Sequence, residues 1–182
     1  MMLLPQNTLT QRWSRLLEHP VYNGIWFQLT WFSCVLGRDA WLPLSLALLA
    51  MHFLLVQNSV QELRRLAPIM ALGIAVDSAL SLLGVFSFNG DVLAPLWLCV
   101  LWLAFATTLN RALATLGRWR WLAAVVGGVG VPFNYAVGAK LGAVALPLAP
   151  WLTTTLLMAI WALLLPLFYQ LAKRPMMTPE VI

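Results

Sequence analysis

The chain has 182 residues, of which 62% are apolar and only 9% are charged. A soluble domain of average composition is roughly 45–50% apolar and about 25% charged. Eleven Lys and Arg with six Asp and Glu cannot cover a water-soluble surface of this size. The composition therefore excludes a soluble globular enzyme, a disordered chain and a DNA-binding module, and we predict a polytopic membrane protein. The net charge of +5 comes from few residues and is informative only through their positions.

Long apolar runs divide the chain into six predicted membrane spans. A helix needs roughly 20 apolar residues to cross a bilayer core of about 30 Å, and about 17–25 are tolerated. Charged and turn-forming residues delimit such runs at residues 21–37, 40–56, 67–88, 92–109, 121–139 and 150–171. The connections are short, and the absence of alternation within the runs excludes a barrel in lipid. The sequence predicts an all-α fold, a six-helix transmembrane bundle forming a single domain over residues 1–182.

The basic residues are divided unequally between the two predicted sides of the membrane. One side holds nine of the eleven Lys and Arg, and the other holds Arg38 and Lys140. Because cytoplasmic loops are enriched in Lys and Arg, both termini are predicted to be cytoplasmic. Residues 8–18 place apolar side chains at helical spacing, with Arg12 and Arg15 on the other face. This pattern predicts a short interfacial helix before the first span.

Asp77 is the residue that most strongly indicates a polar site inside the bundle. It stands in the middle of the third predicted span, where inserting a carboxylate costs about 2.5–3.5 kcal/mol. We therefore expect its side chain to face the bundle interior, where burial favours the neutral carboxyl group. One interpretation is a proton, cation or acid–base site; the other is a structural hydrogen bond to a neighbouring helix.

Polar residues in two other spans are further candidates for a ligand or proton site. Asn134 follows Pro132 in the fifth span and is expected to form a hydrogen bond across a helix contact. Asn23 and Gln28 make the first span unusually polar. Small residues in the fifth span predict close packing against a neighbouring helix. These predicted packing residues are Gly127, Gly130, Gly138 and Gly142.

No sequence motif identifies a cofactor or a catalytic residue. Cys34 and Cys99 lie in different predicted spans, and the chain has only two His and no CxxC. A zinc site is therefore unsupported, and no metal or cofactor is expected. A nucleophile elbow, a Walker loop and a dinucleotide fingerprint are not present either.

Several motifs in order resemble a family of small bacterial inner-membrane proteins, domain of unknown function 2878. The resemblance rests on Tyr22-Asn23 with Trp31, the mid-span Asp77, a Trp-rich stretch over residues 95–109, and residues 132–143, whose sequence is PFNYAVGAKLGA. It covers about residues 20–145 and implies an inner-membrane location, while bringing no established activity. Tyr135, in the last of these motifs, joins the candidate site residues.

The sequence leaves three functions open. The first is a small carrier or an accessory membrane subunit, with an internal ligand or proton site around Asp77. The second is a membrane-embedded enzyme, or an enzyme subunit, that acts on phospholipid or fatty-acyl chains. The third is a structural protein that binds a partner through its helix faces. The expected partners are the lipid bilayer and a membrane or lipid-pathway protein, not a nucleic acid, and the oligomeric state stays open.

Overall fold

A computed structural model describes residues 18–89 and 93–173. The predicted interfacial helix, residues 8–18, lies outside this part of the chain except for Glu18. The described residues form six α-helices: α1 Pro20–Phe32, α2 Leu42–Leu55, α3 Ser59–Leu82, α4 Leu96–Thr108, α5 Arg120–Lys140 and α6 Pro150–Ala172. A π-helical segment, Ser33–Gly37, continues α1, and a short 3-10 helix, Leu116–Arg118, precedes α5.

The all-α class is confirmed for the described residues, and each predicted span overlaps one helix. Helices α3, α5 and α6 are long and apolar enough to cross a membrane, while α2 and α4 are apolar but shorter. Large apolar side chains point outward, among them Leu54, Trp151 and Leu163, each more than 70% exposed. An apolar exterior on apolar helices is typical of a protein surrounded by lipid, and we conclude that this is a membrane protein.

Helix α3 differs most from its predicted span. It begins at Ser59, where Asn58 accepts a hydrogen bond from the Gln61 amide, and it continues through Arg64 and Arg65. A hydropathy boundary drawn at these charges therefore missed the first two turns, because arginine is a good helix former. The helix ends at Leu82 rather than at residue 88. Asp77 consequently lies near one end of α3, not at its midpoint.

Two glycines terminate long helices by the same mechanism. Gly84 follows α3 with φ +70° and Gly142 follows α5 with φ +75°. In both cases the next amide bonds back to a carbonyl in the last helical turn, Val85 to Leu80 and Ala143 to Gly138. This is the Schellman arrangement, which favours glycine because it has no Cβ. Gly142 is therefore a helix terminator, and its prediction as a packing residue was wrong.

The helices form two groups. Helix α4 packs against α1, α2 and α3, while α5 lies along α6 in an extensive contact. Helix α3 also contacts α6, and the indole rings of Trp102 in α4 and Trp161 in α6 stack with centroids 5.5 Å apart. The two groups are thus joined on one side by α3 and in the middle by aromatic side chains.

Contacts between connections identify the two ends of the bundle. At one end Arg111 binds Glu18 and Glu62, and Lys173 donates to the Gly117 carbonyl. At the other end Arg38 donates to the Gly142 carbonyl, and residues 87 and 145 pair as an isolated antiparallel bridge. Helices that follow one another along the chain therefore run in opposite directions.

Close approach between α5 and α6 occurs at Gly127 and Gly128. A Cβ on Gly127 would lie 2.3 Å from the Trp161 carbonyl oxygen, and one on Gly128 would lie 3.2 Å from the Met158 carbonyl oxygen. The predicted stripe does not continue along this face, since a Cβ on Gly130 would contact only Val126 of its own helix and one on Gly138 would contact only Val144. The packing face rotates with the 3.6-residue period, which a four-residue spacing does not follow over several turns.

We predict that Gly127→Ala lowers the stability of the bundle, whereas Gly130→Ala does not. The new methyl group at residue 127 forces the α5 and α6 backbones apart, at a typical cost of about 1–3 kcal/mol. The nearest atom to a Cβ at residue 130 is 3.9 Å away. Thermal unfolding midpoints in detergent micelles measure both effects, and equal midpoints for the two variants would contradict the packing described.

Candidate functional site

Asp77 is fully buried where α3, α4 and α5 meet. Its Oδ2 accepts a hydrogen bond of 2.8 Å from the Trp102 Nε1 of α4, and its Oδ1 accepts one from the Tyr135 hydroxyl of α5. A buried carboxyl group needs such partners because unsatisfied polar groups are costly in an apolar interior. This single side chain therefore links the two helix groups.

Gly73 explains how Trp102 reaches Asp77. A Cβ on Gly73 would lie 2.3–2.5 Å from three carbon atoms of the Trp102 indole, so the ring rests directly on the α3 backbone. Gly73 is four residues before Asp77 and lies on the same face of the helix. The glycine thus admits the ring, and the aspartate one turn later receives its N–H.

Tyr135 is positioned by aromatic packing on its other side. Its ring stacks on Phe86 with centroids 5.2 Å apart, and Phe86 itself is fully buried in the turn after α3. The hydroxyl group donates to Asp77, and its oxygen keeps lone pairs that can accept another hydrogen bond. Tyr135 and Asp77 are therefore neighbours in space, although 58 residues separate them in the sequence.

A cavity of about 320 Å³ adjoins this pair, between α1 and α4 on one side and α5 and α6 on the other. Asp77, Tyr135 and Asn134 provide its carboxylate, hydroxyl and amide groups. The rest of the wall is apolar, and five of its twelve residues are aromatic: Phe27, Trp31, Leu98, Leu101, Trp102, Phe105, Leu113, Val126, Gly130, Val131, Trp161 and Leu165. Partly exposed wall residues lie along the facing sides of α1, α4 and α5, so the cavity opens on the side of the bundle.

The carboxyl group and the apolar wall occupy different levels of the cavity. Tyr135 and Val126 both lie on α5, nine residues or about 13 Å apart along its axis. Asp77 is near the end of the bundle that contains Gly84 and Gly142, whereas Leu113 belongs to the opposite end. The cavity therefore has a polar end and a long apolar body.

Trp161 provides a buried donor without a partner. Its Nε1 has no hydrogen-bond acceptor within the described part of the chain, although the side chain is only 1% exposed and lines the cavity. A buried indole N–H usually has a partner.

Asn134 lies at the exposed rim of the cavity and not in a helix contact. Its Nδ2 donates to the Gly130 carbonyl of its own helix at 2.9 Å. The prediction that Asn134 forms a hydrogen bond to a neighbouring helix was therefore wrong. This face of α5 borders the opening of the cavity and not α6. Because Asn134 is exposed and lines the cavity, its amide group can contact a molecule that enters.

Asn23 and Gln28 do not contribute to this site. Asn23 is fully buried, donates to Thr107 at 3.2 Å and accepts from the Ala112 amide at 3.3 Å, which ties α1 to the end of α4. The Gln28 side chain is exposed. Five residues in a helix correspond to a rotation of about 140°, so the two side chains cannot face one site.

A second polar cluster joins three helices at the Arg111 end of the bundle. Arg111 is only 6% exposed and bonds to Glu62 at 2.6 Å and to Glu18 at 2.8 Å. Burial disfavours its charged form, but the two glutamates outweigh this effect and raise the pKa of Arg111 above its ordinary value. His52, fully buried and stacked on Trp26, has its Nε2 3.6 Å from Glu62. In the sequence Arg111 is one of the nine basic residues on one predicted side of the membrane, and no local pattern indicates this cluster.

We predict that Arg111→Met strongly destabilises the protein, while Arg64→Met does not. Removing Arg111 leaves Glu62 almost buried without its cation, a change that costs about 3–5 kcal/mol in comparable sites. Arg64 is exposed, and isolated surface charges contribute about 0–1 kcal/mol. Denaturation in mixed micelles gives the free energy of unfolding for both. If the unpaired charge of Glu62 causes the loss, the double variant Arg111→Met, Glu62→Gln should recover stability. Similar losses of unfolding free energy in Arg64→Met and Arg111→Met would refute this explanation.

A second cavity of about 240 Å³ between α2, α3 and α4 is lined by seven aliphatic or Met side chains and Cys99. It has no carboxylate, amide or hydroxyl side chain and offers no acid–base chemistry. Within the described ranges, no three His, Cys, Asp or Glu side chains are close enough to hold a metal ion. The Asp77 cavity is therefore the candidate functional site.

Comparison with known proteins gives a family but no activity. Neither the curated proteins nor the solved structures contain a match to the chain. A family model described as "Protein of unknown function (DUF2878)" matches residues 20–167. This match includes all the residues that form the cavity and most of the described helices. The chain therefore belongs to the DUF2878 family.

Proposed function

We propose that this protein binds a lipid-like ligand in the Asp77 cavity and acts as a small carrier or as an accessory subunit of a membrane pathway. The observation that carries the proposal is the cavity itself, with an apolar body, one polar end and an opening on the side of the bundle. As a subunit, the protein would exchange the ligand with a membrane protein of a lipid pathway.

Selection of the ligand depends on the polar end. A hydrocarbon chain gains little by moving from lipid to an apolar cavity, because both environments are apolar. The Tyr135 hydroxyl, with the Asp77 carboxyl group behind it, provides a directional contact that a bilayer core does not. The apolar wall then fits the chain, while these groups distinguish one polar end from another.

We further propose six membrane spans in a bacterial inner membrane, with both termini cytoplasmic. The antiparallel order of the helices and the apolar exterior support six crossings. Five basic residues that lie in or next to the ends of α3, α5 and α6 belong to the Arg111 end of the bundle: Arg64, Arg65, Arg118, Arg120 and Lys173. Arg38 and Lys140 belong to the opposite end. This asymmetry favours a cytoplasmic Arg111 end.

The short helices α2 and α4, about 20 Å each, fit a locally thinned bilayer.

A phosphatase fused to the C-terminus is predicted to be inactive in cells, because alkaline phosphatase requires export to fold. A fusion in the connection between α5 and α6, after residue 145, is the matched positive control and is expected to be active. The opposite pattern would overturn the proposed orientation, and activity at both positions would overturn the number of spans.

A bulky residue at position 130 is predicted to close the cavity. Gly130→Phe places a ring in open space on the cavity wall, whereas Val129→Phe adds the same ring to an adjacent residue that is 60% exposed. The measurement is photolabelling of the purified protein by a phospholipid with a diazirine in its acyl chain, mapped to α5 peptides. We expect labelling to fall several-fold in Gly130→Phe only. Equal labelling in both variants and the wild type would refute ligand binding in this cavity.

A membrane-embedded enzyme acting on phospholipid or acyl chains is the second candidate. The Asp77–Tyr135 hydrogen bond favours it, since a carboxyl–phenol pair beside a cavity can accept and donate a proton. In that case Asp77 is the general acid or base. Chemical change of the bound lipid, lost in Asp77→Asn while photolabelling persists, would support the enzyme; unchanged lipid after incubation supports the carrier.

A further inference from the structure

The charges around the Asp77 cavity are unbalanced. Asp77 is its one carboxylate, and no Lys, Arg or His side chain from the described part of the chain lines it. Both hydrogen-bond partners of Asp77 are neutral donors, and the Trp102 indole can only donate. These partners suit an ionised carboxylate, but they bring no positive charge. A buried negative charge without a cation is unusual because its desolvation is expensive.

The walls beside this carboxylate are aromatic on several sides. The ring centroids of Phe27 and Phe105 are 6.3 Å apart, and those of Phe105 and Trp102 are 5.6 Å apart. The Trp102 ring stacks on the Trp161 ring. Trp161 in turn meets Tyr135 at a centroid distance of 6.3 Å, which closes the series next to Asp77. Trp31 adds a third indole to the wall. Aromatic faces attract organic cations, and the attraction is largest where water is excluded. Trp102 lies between Gly73 and the Trp161 ring, so the other rings of the wall must provide these faces.

We propose that the ligand of this cavity is a lipophilic organic cation, an amine or quaternary ammonium on an alkyl chain, with Asp77 as its counter-charge. This inference rests on the proposed binding function and specifies its ligand. The cationic group lies at the Tyr135 end, and the alkyl chain extends along the aromatic wall towards Val126 and Leu113.

The position of Tyr135 determines how the cation is held. Asp77 has no exposed surface, so the ligand is attracted across the Tyr135 hydroxyl and not by direct contact. The Tyr135 proton is donated to Asp77, which leaves the phenol oxygen free to accept an N–H from an amine ligand or to contact the methyl groups of a quaternary ammonium. In a medium of low dielectric constant the carboxylate still attracts a cation at this distance. An anionic head group would be repelled by the same charge.

The test compares three ligands with the same twelve-carbon chain and different head groups. Dodecyltrimethylammonium, dodecanol and dodecyl sulfate are titrated into the protein in maltoside micelles below their own micellar concentrations, and binding is read by native mass spectrometry. We expect the wild type to bind the cation at least about ten-fold more tightly than the alcohol, and the sulfate most weakly. Asp77→Asn is expected to remove this preference and to keep alcohol binding. Asp39→Asn, an equal change at an exposed residue, keeps the preference.

The outcomes separate this inference from the proposed function. Equal binding of the three compounds in the wild type, or a cation preference that persists in Asp77→Asn, would overturn the inference and leave lipid binding intact. If none of the three binds and the Gly130→Phe variant labels like the wild type, both proposals fail. If Asp77→Asn does not fold, Trp31→Leu is tested in its place. Loss of this aromatic face is expected to reduce the ratio of cation affinity to alcohol affinity several-fold. An unchanged ratio would refute the contribution of the aromatic wall.

Discussion

The hydrogen bonds of Asp77 are the interaction on which the arrangement of this bundle depends. A carboxyl group inside an apolar bundle must have partners, and here they come from two other helices, Trp102 in α4 and Tyr135 in α5. Helices α5 and α6 otherwise meet the other four mainly through α3 and stacked aromatic rings. Hydrophobic attraction between helices is weak in lipid, so directional polar contacts and close packing decide how the groups associate. One buried aspartate therefore fixes both the junction and the polar end of the cavity beside it.

Glycines supply the close approach that the junction needs. Gly73 lets the Trp102 ring rest on α3, and Gly127 brings the α5 backbone to the Trp161 carbonyl. Both contacts position an indole that lines the cavity. The cavity itself opens on another side of the bundle, between α1 and α5.

The two polar clusters have different physical characters. At the Arg111 end, a buried guanidinium faces two carboxylates, so the charges are matched inside the protein. At the Asp77 end, a carboxylate has only neutral donors within the described chain. A matched cluster stabilises the bundle, as the effect of both glutamates on Arg111 indicates. An unmatched charge next to a cavity is typical of a functional site, because a ligand can supply the missing partner.

The sequence by itself determined the all-α class, the approximate positions of the six helices and the need of Asp77 for partners inside the bundle. These depend on local properties: the length of apolar runs, the punctuation between them and the cost of a carboxylate in lipid. Only the tertiary structure decided which residues join Asp77. Asn23 lies at the opposite end of the bundle, Gly142 ends a helix, and Asn134 lies at the rim of the cavity. Glu62 binds Arg111 and Gly73 packs against Trp102, and no local sequence pattern indicates either contact. Which helices are neighbours, and how each is rotated about its axis, depends on contacts between residues far apart in sequence, and hydropathy contains no information about those contacts.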